Sequence, residues 1–177
     1  MNNMKNLIPK KWSGGITREI FRDKFDFDIR ISCAEIYPGE NVFSDFTGYK
    51  RILKILESNV IIKKNNDRDL FLNPDNIFIF DGSDTVKSIN EDLVLDFNVI
   101  YKPEFLQVSF EEIKGVYNLY NFDDQGTILI FSLENDNNLF LNDYNSKLEK
   151  YDFLILDSPV EFKLEGKFIL IKFHKKN

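Results

Sequence analysis

Apolar and polar residues alternate along most of the chain, which is the period of a β-strand with two different faces. The clearest example is the segment Phe25–Tyr37, which places Ile29 and Ile31 on one face and Arg30 and Ser32 on the other. No window of about 11 residues shows a helical period, and strands recur about every 8–12 residues. The pattern therefore predicts an all-β sandwich or barrel with little helix. The other predicted strands are Tyr49–Leu56, Val60–Lys64, Asp69–Phe71, Ile77–Asp81, Thr85–Ile89, Val94–Tyr101, Leu106–Phe110, Gly115–Tyr120, Thr127–Leu133, Leu139–Leu141, Phe153–Leu156, Val160–Leu164 and Phe168–His174.

A weak internal repeat relates the two halves of the chain. The strand Asp75–Asp81 (DNIFIFD) is similar to Tyr151–Asp157 (YDFLILD), and Leu93–Lys102 is similar to Lys167–Lys176. Such a repeat favours two stacked antiparallel β-barrels, with residues 1–110 as the N-terminal barrel and residues 111–177 as the C-terminal one. Chance similarity between strands rich in Phe and Ile is the alternative.

Composition narrows the functional classes. The 177 residues carry a net charge of −6 with no visible basic face, which argues against nucleic-acid binding. One cysteine, Cys33, allows no disulfide within the chain and fits a cytoplasmic protein. One histidine, His174, cannot supply the two or three imidazoles of a zinc or iron site, so we expect no metal. We also expect no signal peptide and no membrane span, because neither an apolar leader nor about 18 continuous apolar residues is present.

The stretch WSGGITRE at residues 12–19 concentrates residues that are hard to replace. Gly14 and Gly15 allow close backbone approach, and their amides are candidates for an anion-binding nest. Trp12 offers an apolar wall with one N–H donor, and Thr17 and Glu19 add polar groups. An ordinary turn beside a core tryptophan is the alternative interpretation.

Six further polar residues are candidates for a binding site. Arg30 and Ser32 share one strand face, and burial inside a barrel would make Arg30 a clamp for a carboxylate. Asp96 and Asn98 lie on one face of a very apolar strand, where they are costly unless they are paired or solvated. Each of three residues has a simpler alternative interpretation. Arg30 could lie on a solvent-exposed face, Arg51 could be a charged strand end, and Asp81 could cap a turn. The six residues are Arg30, Ser32, Arg51, Asp81, Asp96 and Asn98.

These segments together resemble the HutD/Ves family of cupin-fold proteins. The family begins with a pattern close to W-K-N-G-G-G-x-T-x-E, and its later blocks follow in the same order here. The corresponding blocks are WSGGITRE at residues 12–19, DIRISCAE at 28–35, Phe43, Phe46, Gly48 and Arg51, FDGS at 80–83, and Asp96 with Asn98. The last block departs from the family, because Ile100 and the pair Tyr101-Lys102 stand where a methionine and two arginines are expected.

The resemblance implies a bicupin, two jelly-roll barrels in one chain, without the usual metal-binding histidines. It implies a non-catalytic protein that binds a small carboxylate, such as the histidine-degradation intermediates urocanate or formyl-glutamate, in a regulatory role and with no cofactor. Trp12, Gly14, Gly15, Thr17, Arg30 and Arg51 would hold the acid group, and Asp96 with Asn98 would orient the rest of the ligand.

Two alternatives remain open beside this expectation. The first is a metal-independent cupin enzyme, an isomerase or hydrolase, that uses Asp81, Asp96 or Glu19 as its acid–base group. The second is an interaction or scaffold protein whose barrel is filled by side chains. A homodimer is compatible with all three functions.

Overall fold

The computed structural model describes residues 1–65, 67–122, 126–142, 144–157 and 160–176. Over these ranges the protein consists of β-strands with one turn of 3-10 helix at Met4–Asn6 and no α-helix, so the all-β prediction is confirmed. The strands are β1 Asn2–Asn3, β2 Lys10–Trp12, β3 Gly15–Arg22, β4 Ile29–Ile36, β5 Gly39–Val42, β6 Lys50–Glu57, β7 Val60–Lys64, β8 Leu70–Leu72, β9 Ile77–Asp81, β10 Val86–Asn90, β11 Val94–Tyr101, β12 Leu106–Phe122, β13 Gly126–Ser132, β14 Asn137–Leu141, β15 Tyr144–Leu148, β16 Asp152–Asp157 and β17 Val160–Lys175.

The chain divides into two compact units, and the first of them spans Leu7–Pro103. In this unit the described residues form a six-stranded antiparallel sheet in the order β2-β3-β4-β11-β6-β9 and a four-stranded one in the order β5-β10-β7-β8. The two sheets share one core, because Leu53, Ile55 and Phe78 of the larger sheet cluster with Ile62 and Val86 of the smaller one. Side chains from both sheets are thus packed into one interior, as in a sandwich or barrel.

The inner face of the six-stranded sheet changes character from one side to the other. On β6 and β9 it carries Leu53, Ile55 and Phe78, which are buried in the core. Strand register places Leu53 beside Asn98, Asn98 beside Ser32, and Ser32 beside Glu19, all in one row across the sheet. The polar side chains of β3, β4 and β11 therefore continue the apolar core on the same face, and they form one wall of the interior.

The second unit contains Met1–Asn6 and Glu104–Asn177. Its described residues form one antiparallel sheet in the order β1-β16-β13-β17-β14-β15, with β12 also paired to β17. Its core includes Ile128, Ile130, Leu164, Phe168 and Leu170, all fully buried. The first six residues join this unit through the pairing of β1 with β16. The predicted boundary between residues 110 and 111 differs from the one that backbone contacts give, and the assignment of two cupin barrels stays a prediction.

Two pairs of predicted strands are continuous in the structure. Segments 106–110 and 115–120 belong to β12, and segments 160–164 and 168–174 belong to β17. The sequence suggested breaks at Gly115 and Gly166, but these glycines lie opposite each other in the β12–β17 ladder with φ of 96° and 130°. The ladder continues through both residues, because glycine adopts positive φ at little steric cost.

Strand β3 is the longest of the strands that the hydrophobic pattern did not predict, the others being β1, β2, β5 and β15. Its ladder with β4 is irregular between Glu19 and Phe21, where a bulge shifts the register. A bulge adds one residue to one strand, so the apolar and polar positions exchange faces and the period of two is lost.

Of the described residues, none forms a helix long and apolar enough to cross a membrane.

Candidate functional site

A cavity of about 210 Å³ lies inside the unit Leu7–Pro103, against the polar part of the six-stranded sheet. Its volume equals that of about seven water molecules in the liquid, which suits a small ligand. Strands β2, β3, β4, β6 and β11 and the segment between β5 and β6 contribute its walls. The lining residues are Lys10, Lys11, Trp12, Thr17, Glu19, Arg22, Arg30, Ser32, Ala34, Phe43, Ser44, Phe46, Arg51, Asp96 and Asn98.

Eight of the eleven residues predicted from the sequence line this cavity. They are Trp12, Thr17, Glu19, Arg30, Ser32, Arg51, Asp96 and Asn98. The solvent alternative for the Arg30–Ser32 face does not hold, because Ser32 is buried and Arg30 is half-buried. Their role in binding a ligand remains a prediction.

The glycine pair lies outside the cavity lining, and its part there is steric. Gly15 pairs with Ile36 in the β3–β4 ladder, and a Cβ on Gly15 would stand 1.9 Å from the carbonyl oxygen of Glu35. A Cβ on Gly14 would stand 2.4 Å from the Trp12 ring. The glycines thus allow the hairpin to close and the indole to lie over it. This placement does not support the expected anion nest of Gly14 and Gly15 amides.

Asp81 also lies outside the cavity lining, although its turn supports the site. Its carboxylate is exposed and pairs with Lys50 Nζ at 2.7 Å. The neighbouring Phe80 is buried, and its ring lies 4.8 Å from the Arg51 guanidinium. A Cβ on Gly82 would stand 2.0 Å from the carbonyl oxygen of Phe46, so glycine permits the cavity segment to approach this turn.

Arg51 is 6% exposed, and no carboxylate of the described residues is hydrogen-bonded to it. It donates to the Ser44 carbonyl and to Asn98 Oδ1, both at 3.3 Å, and its Nε has no acceptor among the described residues. The Phe43 and Phe46 rings lie 5.3 and 5.4 Å away, where a cation is attracted to the π-face. Burial lowers the pKa of Arg51 to about 10, which still leaves it protonated at neutral pH.

Arg30 has fewer polar partners than Arg51. The described residues offer its Nε no acceptor, and the guanidinium instead lies 5.4 Å from the Phe27 ring and 5.1 Å from the Phe46 ring. Its pKa is lowered, first by burial and then by the charge of Arg22. Because Arg30 and Arg51 both lie over Phe46, two cationic groups converge on one side of the cavity.

Glu19 neutralises a third guanidinium. Arg22 donates to Glu19 Oε2 from Nε at 3.0 Å and from Nη2 at 2.7 Å. This bond from Arg22 lowers the pKa of Glu19, so the residue is a carboxylate at neutral pH. Sequence reasoning missed Arg22, because the bulge after Glu19 brings it to the same face as Arg30. No signal in the hydrophobic period marks such a shift.

Asp96 lies on the cavity wall and is 1% exposed. Its Oδ1 accepts the Ala34 backbone N–H at 3.0 Å. Burial raises the pKa of Asp96 to about 7, against the opposing effects of the Ala34 amide, the Asn98 side chain and the Arg51 charge. The group is therefore divided between acid and carboxylate near neutral pH.

Six more lining residues were not among the predicted site residues. Phe43 and Phe46 did match the family pattern, and that pattern was the available signal for them. Lys10 and Lys11 are exposed at the cavity edge, and Ala34 and Ser44 present nothing distinctive in the sequence. The six residues are Lys10, Lys11, Ala34, Phe43, Ser44 and Phe46.

The corresponding face of the second unit carries different chemistry. The predicted internal repeat would place Leu170 and Lys172 at the positions of Asp96 and Asn98. Leu170 is fully buried in the core, and Lys172 pairs with Glu111 at 2.5 Å. Over the described ranges, no three His, Cys, Asp or Glu side chains cluster closely enough to hold a metal ion.

Comparisons with known proteins place these features in a family. A sequence model of the HutD family matches residues 4–171. A HutD structure from Pseudomonas fluorescens SBW25, described as a formate condition, is 25% identical with a TM-score of 0.87, covering 99% of this chain and 97% of that one. A conserved protein of unknown function from Pseudomonas aeruginosa PAO1 is 22% identical with a TM-score of 0.80, at 99% and 96% coverage. A cupin 2 conserved barrel domain protein from Leptotrichia buccalis is similar in fold at 12% identity, with a TM-score of 0.69 and coverage of 99% and 95%. No curated protein matches the sequence.

Proposed function

The chain belongs to the HutD family of cupin-fold proteins, and on this premise we propose that it is a non-catalytic protein that binds a small carboxylate in the cavity of the unit Leu7–Pro103. The bound acid group lies between the guanidinium groups of Arg30 and Arg51. Trp12 forms an apolar wall, and Thr17 and Ser32 supply hydroxyl groups. Binding of the metabolite serves a regulatory role.

The observation that carries this proposal is a pair of guanidinium groups that are not hydrogen-bonded to a carboxylate among the described residues. Arg30 and Arg51 both lie over Phe46, and the Nε of each is buried without an acceptor in this part of the chain. The indole Nε1 of Trp12, another lining residue, is also buried without an acceptor among the described residues. Guanidinium groups bind carboxylates through two parallel hydrogen bonds, so a carboxylate supplies the charge and the acceptors that this wall lacks.

The resemblance narrows the ligand class further. Urocanate and formyl-glutamate, both intermediates of histidine degradation, each carry a carboxylate, and a cavity of about 210 Å³ favours ligands of this small size. Eleven of the fifteen lining residues are polar or charged and four are apolar, a composition that favours a small charged ligand over an apolar one. The proposal also includes the finer fold assignment, a bicupin in which the first barrel carries the binding site and the second has a structural role.

A thermal-shift screen tests the proposed function. Formate, acetate, urocanate and formyl-glutamate are added to the wild type, to Arg30→Gln and to Arg68→Gln, with chloride at equal ionic strength as the reference. Arg68 is exposed in the segment between β7 and β8 and serves as the matched control for lost charge. We expect at least one carboxylate to raise the Tm of the wild type and of Arg68→Gln, and to lose most of that effect in Arg30→Gln. Equal shifts in all three proteins would contradict the assignment of Arg30.

The acid–base enzyme remains a second candidate because of Asp96. A buried carboxyl group with a pKa of about 7 has the property that general acid–base catalysis requires at neutral pH. Glu19 is held as a carboxylate by Arg22, and Asp81 lies outside the cavity lining, so Asp96 is the favoured catalytic group. Product formation from urocanate or formyl-glutamate that is lost in Asp96→Asn would favour the enzyme, whereas binding without product favours the sensor.

A further inference from the structure

Asp96 is a buried carboxyl group inside a cavity that is otherwise suited to an anion. The Ala34 backbone N–H donates a hydrogen bond to it, and its exposure is 1%. The guanidinium of Arg51 donates hydrogen bonds to Asn98 Oδ1 and to the Ser44 carbonyl. A negative charge on Asp96 would occupy a desolvated position, where the Ala34 amide, the Asn98 side chain and the Arg51 charge offset only part of the cost of burial.

Four other strands also place charged groups in the cavity that Asp96 lines. On the cavity face, β2 contributes two cations, β3 contributes an ion pair, and β4 and β6 contribute one guanidinium each. The thiol of Cys33 lies on the opposite face of β4, and its pKa is raised by burial and by the charge of Asp96. The cavity groups are Lys10, Lys11, Glu19, Arg22, Arg30 and Arg51, with the neutral Thr17, Ser32 and Asn98 between them.

An anion in this cavity acts on Asp96 through charge repulsion. It adds a negative charge to the small cavity that Asp96 lines, which already holds the Glu19 carboxylate, and it takes up part of the field of Arg30 and Arg51. Both effects disfavour the carboxylate form of Asp96. A proton on Asp96 removes the repulsion, and the resulting O–H becomes a hydrogen-bond donor toward the ligand or toward Asn98.

We propose, building on the proposed function, that Asp96 takes up a proton from solvent when the cavity binds its carboxylate. The wild type then binds the anion and a proton together, and Asp96 determines how strongly affinity depends on pH. The O–H bond that forms on Asp96 is balanced by the bond to the same proton that breaks in the acid form of the buffer. Near neutral pH the free Asp96 is partly ionised, so the uptake is fractional and measurable.

Calorimetry in two buffers measures this proton directly. Formate is titrated into the wild type at about pH 7.5 in Bis-Tris and in Tris, which are both cationic and differ in ionisation enthalpy. An uptake of about half a proton gives an apparent binding enthalpy that differs between the buffers by about half of their difference in ionisation enthalpy. Asp96→Asn should bind formate with one enthalpy in both buffers, and Asp81→Asn, an exposed carboxyl outside the cavity lining, should behave as the wild type.

A pH series on the wild type gives an independent test that needs no variant to fold. Formate affinity should increase about tenfold as the pH falls from about 8.5 to about 6.5, because the free protein is increasingly protonated at Asp96. Binding with equal enthalpies in the two buffers and a flat pH profile would overturn this inference and leave the proposed function intact. No binding of formate, acetate, urocanate or formyl-glutamate at any pH would overturn the proposed function and this inference with it.

Discussion

Replacement of Asp96 by asparagine should change the pH dependence of stability more than any other single substitution in the cavity. The pKa of the buried carboxyl is about 7 in the folded protein, compared with about 3.9 in an unfolded chain. A difference of about three units corresponds to about 4 kcal/mol between the two protonation states. Asparagine keeps an oxygen that accepts the Ala34 N–H but carries no charge at any pH.

The sign of the effect follows from proton linkage. Because the folded pKa of Asp96 is raised, the folded protein binds the proton more tightly than the unfolded chain does. This contribution to stability is fully present below about pH 4 and is lost as the pH rises through about 7. Asp96→Asn lacks this loss, so its stability relative to the wild type should increase by about 3 kcal/mol between about pH 4.5 and about pH 8.

Urea unfolding at both pH values measures the change in the free energy of unfolding. Asp81→Asn is the matched control, since its carboxylate is exposed and outside the cavity lining. Any constant cost of placing an amide at position 96 cancels in the comparison between pH values. A stability difference between Asp96→Asn and the wild type that is the same at both pH values would refute the reasoning.

Four further predictions use other features of the same unit. Gly15→Ala should lower the free energy of unfolding by about 2 kcal/mol or more in urea titrations, because its Cβ would meet the Glu35 carbonyl at 1.9 Å. Cys33, which is buried with a raised pKa, should react with a thiol reagent only after unfolding, and fast reaction of the native protein would disprove this. Trp12 is the single tryptophan and lines the cavity, so its fluorescence should change on carboxylate binding and saturate with the calorimetric affinity. Arg51→Met should abolish the carboxylate-induced rise in Tm while leaving the Tm of the free protein equal or higher. The reason is that this buried cation has no hydrogen-bonded carboxylate among the described residues. A variant that binds carboxylate as the wild type does would contradict the prediction.

Much of the fold follows from the period of two. The segments Val60–Lys64, Ile77–Asp81 and Val94–Tyr101 were predicted with the bounds that the structure has. These strands alternate between a core face and a second face, which is the condition under which the pattern is readable. The pattern did not predict β3, where a bulge exchanges the two faces. It also suggested strand ends at Gly115 and Gly166, where the β12–β17 ladder continues.

The candidate site was readable where an unusual residue stands on an apolar strand. Asp96 and Asn98 are the polar residues in the otherwise apolar strand β11, and their polarity there indicated that they line a pocket. Trp12, Thr17 and Arg51 were candidates from their own segments, and the family resemblance assigned them to one binding site, which no local pattern gives. The interpretation of Gly14 and Gly15 as an anion nest was not supported, because glycine also serves close packing and the sequence does not distinguish the two uses.

Arg22 and the aromatic segment show what lies beyond the sequence. Arg22 reaches the cavity only through the bulge, and its charge is neutralised by Glu19, so neither its place nor its electrostatic effect is visible in a one-dimensional pattern. Phe46 is important because it lies within about 5 Å of both Arg30 and Arg51. That shared contact depends on the approach of its segment to Gly82.

A crystal structure with a bromine-labelled short carboxylate, such as 3-bromopropionate, tests the central claim most directly. If Arg30 and Arg51 bind the carboxylate, an anomalous bromine peak lies inside the cavity of the unit Leu7–Pro103, with carboxylate oxygens about 3 Å from the two guanidinium groups. A labelled carboxylate bound elsewhere, with the cavity holding only water, would contradict it.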